Sequence, residues 1–444
     1  MVSAVDASLI VAYFVAITVI GYISRKKAGK EDFLLANRNL GVWHNLATIT
    51  ATKITTSVII TYVALVYMFG ISAIWAYIGT VLGYIMFYFF GKRLKWESAK
   101  YRYYTLADYF YRRYGNTAGK MAGLIVFASF FFNFTIQLIG GAMVIEQLLG
   151  ISFVLSAVFM AGVILFYLFV GGFKAVVKTD VVQVIAILVL FFGLGAMFFT
   201  NFHYDPVQWQ IMSAGPQMII PLLIIGMLFP FSAADLWQRA YAAKSVRTFK
   251  KSFAIGAVIY MLFGLLITVI GIIVKYNLPG IEAESAMIQG FFQLLPSGMV
   301  GLGVVALFAA IMSTADSYAF ISASVLVQDF LFRGRMKHIV VRQLKYALVV
   351  VVGLGTLCAV MFNSLIDAVY LLSGMFMVMS VVVMATWIRR RIRALTVNMA
   401  FSVGVGLTLA FAFVKGISAT VIAIGLVAAL LGLGIGAVVS KVRG

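Results

Sequence analysis

Of the 34 Lys and Arg residues in this 444-residue chain, 31 fall in every second connection between its hydrophobic segments. The first basic group is Arg25, Lys26, Lys27, Lys30 and Arg38. The next is Lys92, Arg93, Lys95, Lys100, Arg102, Arg112, Arg113 and Lys120. Lys174 with Lys178 follows, then Arg239, Lys244, Arg247, Lys250 and Lys251. The last three are Arg333, Arg335, Lys337, Arg342 and Lys345; Arg389, Arg390, Arg391 and Arg393; and Lys441 with Arg443. The opposite connections hold only Lys275 and Lys415, and Lys53 lies within a hydrophobic segment. Positive loops stay on the cytoplasmic side of a membrane during insertion. The pattern therefore predicts a multi-pass protein of the cell (inner or plasma) membrane, N-terminus outside and C-terminus cytoplasmic.

Composition agrees. Hydrophobic residues make up 63% of the chain and charged residues 11%, against about 25% charged in a soluble domain. The net charge of +20 is spread over short loops facing one leaflet. It reads as an orientation signal with some attraction for lipid head groups, and no nucleic-acid partner is expected. A helix needs about 20 apolar residues to cross the hydrocarbon. Thirteen such stretches are predicted, at 5–23, 45–69, 72–91, 118–143, 151–170, 176–200, 215–236, 252–274, 298–328, 341–362, 364–388, 395–414 and 418–440. They leave room for one transmembrane domain, 1–444, in an all-α integral membrane fold. Cys358 is the single cysteine, so neither an internal disulfide nor a cysteine metal cluster is expected. The first stretch ends in Arg25, Lys26 and Lys27 and reads as a retained helix, not a cleaved signal. An amphipathic inner helix is expected within 96–114, and an ordered outer stretch within 275–297.

Two predicted spans look broken. The second carries Thr48, Thr50, Thr52, Lys53, Thr55 and Thr56, too polar a run for lipid contact. The seventh carries Pro230 between Phe229 and Phe231, and proline removes one helical hydrogen bond and opens a turn. Freed carbonyls at membrane depth survive only beside a cavity or an ion. The two irregular spans are five apart, and paired discontinuous helices in matching halves point to an inverted-repeat transporter. The halves are then 45–200 and 215–388, with 5–23 leading and 395–440 trailing.

Intramembrane charge is costly and marks function or pairing. Glu146 and Asp367 lie near outer helix ends, where water is close. Asp235 and Arg239 stand at helical spacing and are expected to pair locally. Asp180 lies about a turn inside the sixth span. Ser313, Asp316 and Ser317 project on one helical face and offer hard oxygen ligands to an alkali cation, or else a polar helix–helix contact. The three histidines, His44, His203 and His338, lie outside the spans, and no hydrolytic triad or phosphate-binding loop is present. Neither an enzyme nor an organic cofactor is expected.

Five segments carry a family resemblance. FLLANRNLG at 33–41, TLADYF at 105–110 with Arg113 to Gly115, and GGFKAVV at 171–177 with TDVVQ at 179–183 are three. WQR at 237–239 with AAKS at 242–245, and MSTADS at 312–317 running to Gln328 and Asp329, complete the series. In order and spacing the chain resembles the sodium/solute symporter family. The resemblance implies a LeuT-type core of two inverted five-helix repeats and alternating access to a midplane solute site. It implies a sodium site formed by carbonyls of Ala51, Ile54 and Ala310 with the hydroxyls of Ser313 and Thr314. A second sodium site of some members would fall on Asp180, Ser313, Asp316 and Ser317.

Lys53 departs from the family pattern, because a fixed positive charge beside the first site opposes sodium. Three readings stand: a structural pair with Asp316 or Asp180, an ammonium that replaces sodium and cycles a proton, or a hold on a substrate carboxylate. The function expected is cation-coupled import of a small polar organic solute with sodium or protons. The alternatives are a sodium-independent transporter, proton-coupled or uncoupled, and a transporter-like sensor. Solute contacts are expected from Thr52, Lys53, Thr55, Thr56, Asn133, Gln137, Phe231 and Ser232.

Overall fold

A computed structural model describes residues 4–23, 35–296, 298–331, 341–361, 365–389 and 391–442. Among the expected features, Arg25, Lys26, Lys27, Lys30, Arg333, Arg335, Lys337, Arg390 and Arg443 lie outside the described residues, as does the Asp367 side chain. The described chain is helical and contains no β-strand. In order the helices are α1 Ala4–Ile23, α2 Val42–Lys53, α3 Tyr62–Phe69, α4 Trp75–Tyr101, α5 Leu106–Leu149 and α6 Phe153–Phe198. Then come α7 Pro216–Ser232, α8 Ala234–Ala242, α9 Val246–Asn277, α10 Ala286–Leu294 and α11 Val300–Val325. The last four are α12 Val341–Met361, α13 Leu365–Ile388, α14 Ala394–Lys415 and α15 Thr420–Val442.

By length and apolarity, nine described helical stretches can cross a membrane, and α7 with α8 makes a tenth if that bent pair is one span. Val5–Ile20 and Phe153–Phe166 are shorter apolar helices. The expected division into thirteen segments is blurred in two places. Val58–Tyr101 is one long helical stretch, turned at Gly70, whose φ of 60° suits glycine alone. A Cβ there would also meet the Gln208 carbonyl at 2.6 Å. The second place is α6, helical through positions 171–175, where a turn was expected. The inner stretch 96–114 is likewise not one helix. α4 runs on to Tyr101, Arg102 adopts a left-handed conformation, and α5 begins at Leu106 under a Thr105–Asp108 capping box.

Helix α11 occupies the centre and is buried on all sides. A helix this apolar all round must lie inside a bundle, and it packs against α5, α6, α1 and α12. The leading helix is pinned to it: the buried Asp6 carboxylate accepts the Gly301 N–H at 2.7 Å, satisfying a free donor at the α11 N-terminus. Small residues let α4 and α7 cross closely. A Cβ on Gly79 would fall 2.2 Å from the Leu223 carbonyl, and one on Gly226 would fall 2.3 Å from that of Ala76.

Candidate functional site

Both irregular spans are broken. Helix α2 ends at Lys53, and Ile54 leaves helical geometry at φ −92°, ψ 89°. Helix α7 ends at Ser232, Ala233 adopts φ −72°, ψ 87°, and α8 leaves at a 43° bend. The second break differs from expectation. Pro230 sits inside α7, and the helix runs two residues beyond it. The Phe231 carbonyl finds a substitute donor in the Trp237 indole at 3.1 Å, so the opening falls where a side chain can satisfy it.

The first break frees carbonyls that α11 collects. Ser313 Oγ lies 3.1 Å from the Ala51 carbonyl and 2.9 Å from that of Ala310. Thr314 Oγ1 lies 3.4 Å from the Ile54 carbonyl and 3.1 Å from that of Ala310. Three carbonyl oxygens thus share two hydroxyl protons in a fully buried cluster. The C-terminal end of α2, where the helix dipole is negative, points at it. Excess hard oxygen and a negative dipole end together favour a cation.

Lys53 pairs with neither Asp316 nor Asp180. Its ammonium lies 2.5 Å from Asp235 Oδ2, with both side chains buried, and 4.8 Å from the centre of the Phe229 ring. The pair links the two breaks. Lys53 is the last residue of α2, where the dipole favours a cation, and Asp235 is the second residue of α8, where it favours an anion. The local Asp235–Arg239 pair expected from helical spacing is therefore replaced by a bond between the two breaks: Asp235 is drawn to the nearer ammonium.

Arg239, fully buried, instead spans three helices. Its guanidinium donates to Thr48 Oγ1 at 3.2 Å, Thr52 Oγ1 at 3.0 Å and Ser317 Oγ at 2.9 Å. It lies 3.8 Å from Asp180 Oδ2, which also accepts from Thr48 at 2.5 Å. This alters the expected second cation site. Asp180 and Ser317 face a built-in cation, while Ser313 is turned to the carbonyl cluster. Asp316, buried beside Ser317, lies within electrostatic reach of the Tyr13 phenol on α1.

The expected solute residues divide. Thr56 and Gln137 come together, the Thr56 N–H donating to Gln137 Oε1 at 2.8 Å. Asn133 lies one turn before Gln137 on α5, and its carbonyl accepts from Gln137 Nε2 at 3.4 Å. Thr56 Oγ1 and Asn133 Nδ2 are buried without a hydrogen-bond partner among the described residues. Thr55 is occupied by the break itself, its hydroxyl accepting the Val58 N–H at 3.2 Å. Thr52 serves Arg239. Ser232 donates back to the Phe229 carbonyl at 2.9 Å. Phe231 packs its ring against Phe87, Phe90 and Trp387, and the aromatic face beside Lys53 is that of Phe229. The sequence reading placed Thr48 in the polar run without assigning it a partner, gave Phe229 no role, and gave Asp235 and Arg239 the wrong partners. The usable signal was position: both charged residues follow the break at Ala233 within two turns.

Access differs on the two sides of this layer. On the basic side, the strand-like segments at Leu40 and Ala243 tie the entry to α2 to the exit of α8, with Leu40 N–H to Ala242 O and Lys244 N–H to Leu40 O both at 3.0 Å. Trp237 and Tyr241 are fully buried there. On the other side, a cavity of about 180 Å³ opens a turn beyond the first break, lined by Val58, Thr61, Tyr62, Tyr77 and Tyr260 among others.

A model of the sodium:solute symporter family matches residues 33–354. A sodium/proline symporter of Staphylococcus aureus (strain Newman) is 26% identical over 357 residues, covering 74% of this chain and 69% of that protein. A Na+-coupled sialic acid symporter, solved substrate-bound and outward-open, superposes with a TM-score of 0.83 at 16% identity, covering 98% of both chains. A nucleobase-cation-symport-1 family transporter superposes with a TM-score of 0.63 at 16% identity, covering 94% of this chain and 96% of the other. At such identities the superpositions speak for a shared fold.

Proposed function

This chain belongs to the sodium:solute symporter family, and we propose that its two broken helices couple one sodium ion to the uptake of a small polar solute. The membership makes it a transmembrane, cation-coupled symporter, not an enzyme. The observation that carries the sodium assignment is the Ala51, Ile54, Ala310, Ser313 and Thr314 cluster, where acceptors outnumber donors. On sodium binding, the two hydroxyls turn their protons away and present lone pairs. All five oxygens then replace the ion's water shell.

The Lys53–Asp235 pair bears on the choice of ion. Lys53 is neutralised within the protein, so its charge no longer opposes sodium a few ångströms away. An ammonium held this closely by a carboxylate serves as a structural link between breaks better than as a mobile proton carrier. Arg239 supplies a permanent positive charge beside Asp180 and Ser317. That argues for one sodium per cycle, although the Asp180 Oδ1 atom has no partner among the described residues.

The solute seat is assigned to Thr56, Asn133 and Gln137, with Phe229 and the outer Tyr62, Tyr77 and Tyr260 as walls. Buried polar atoms without partners are rare in proteins, and a polar solute would satisfy Thr56 Oγ1 and Asn133 Nδ2. The sealed basic side and the cavity on the opposite side fit an outward-facing or occluded stage of alternating access. Two inverted five-helix repeats, thirteen crossings and a cytoplasmic basic face complete the reading. The relative's name makes proline the first solute to try. Proteoliposome uptake tests the proposal. Accumulation above equilibrium under an inward sodium gradient is expected, and accumulation that ignores sodium and follows protons would reject it.

A further inference from the structure

We infer that the recess between α7, α13, α14 and α15 is a binding site for one anionic phospholipid. The recess measures about 620 Å³. None of the ion-cluster residues lies on its lining. Its wall is a stripe of α15: Leu426, Leu430 and Leu433 recur at i, i+4 and i+7 on one face. Its mouth is basic, with Arg389, Arg391, Arg393 and Lys441 all on the lining.

Charge complementarity selects the occupant. The chain carries no Asp or Glu after Asp367, so α14, α15 and their connections offer these cations no carboxylate. Arg393 donates to the Ser440 carbonyl, fixing one cation at the rim. The Thr396 and Ser440 hydroxyls meet at 3.1 Å below it. Arg389 and Arg391 are exposed and free to close on a phosphate. From Leu426 to Lys441 the stripe runs about 22 Å at 1.5 Å per residue, enough for a head group and much of an acyl chain. A free phosphate would use the mouth and leave the apolar wall bare, whereas a phospholipid uses both. Basic pockets between transmembrane helices recognise anionic head groups in this way.

Native mass spectrometry of the purified full chain, titrated with phosphatidylglycerol or phosphatidylcholine, tests this. One phosphatidylglycerol is expected to bind saturably and in preference to phosphatidylcholine. The double variant Arg391→Gln/Lys441→Gln is expected to weaken it about thirtyfold. Lys250→Gln/Lys251→Gln removes the same charge from the same basic side, at a different recess, and is expected to change affinity less than about twofold. Equal weakening in both variants would reduce the effect to general surface charge and overturn the site. So would equal binding of the two lipids, competition by millimolar inorganic phosphate alone, or a shift to dimers without lipid. Arg391, Lys441 and Lys251 are exposed and Lys250 is partly so, over the Tyr88 ring, and size-exclusion elution reports whether each variant keeps its fold.

Discussion

At the scale of single residues, the site depends on charges that never leave the protein. Lys53 and Asp235 are each buried to within a few per cent, and removing one partner strands the other. Such an orphaned charge costs about 3–5 kcal/mol. Lys53→Met and Asp235→Leu are each expected to lower the unfolding temperature in detergent, and the double variant to recover most of the loss. A loss in the double variant equal to the sum of the two single losses would mean the pair contributes nothing jointly. Thr56 makes the opposite case. Its hydroxyl has no partner among the described residues, so Thr56→Val is expected to leave stability unchanged or slightly raised. The same variant is expected to weaken solute uptake about tenfold in KM, the value of one lost hydrogen bond. A fall in stability without a change in KM would assign Thr56 to the fold instead. Much of this layer was legible in the sequence: the threonine run, Ser313 and Thr314 stand out as polar residues where lipid-compatible ones belong. The partners were not. Helical spacing pairs Asp235 with Arg239, and only the bend between α7 and α8 brings Asp235 to Lys53 and turns Arg239 toward α2, α6 and α11.

At the scale of elements, the two breaks have different chemistry. The first is opened by side chains and closed by α11 hydroxyls. The second lies beyond Pro230, and its freed carbonyl is held by Trp237. Pro230→Ala is therefore expected to retain most uptake, because the opening at Ala233 does not depend on the missing proline N–H. Loss of uptake with normal folding would return the break to the proline. The sequence locates the breaks to within a few residues because polar runs and prolines are rare at this depth. It does not show that α6 stays helical past Gly171 and Gly172, or that α4 extends to Tyr101. Glycine pairs and charged ends read as turns when neighbouring helices are unknown. Close crossings such as that of α4 with α7 depend on which glycine faces which carbonyl, and periodicity does not carry that information.

At the scale of the whole molecule, the basic residues predict an orientation and the broken helices support the proposed mechanism. The orientation predicts that Lys415→Cys, in a Cys358→Ser background, is labelled by an impermeant maleimide in intact cells. Lys251→Cys is expected to react only after permeabilisation. Reversed labelling would invert the direction of transport. Family membership makes the chain a symporter, and the coupling ion is the joint on which the rest turns. Sodium binding to the purified chain, followed by its unfolding temperature in sodium against equal choline, addresses that joint without any solute. Sodium at about ten times its dissociation constant stabilises by about 1.4 kcal/mol. The unfolding temperature should rise in sodium alone, and Ser313→Ala/Thr314→Val should abolish the rise while keeping a cooperative transition. An equal rise in choline, or a sodium response that survives the double substitution, would contradict the assignment of the ion to the seam between α2 and α11.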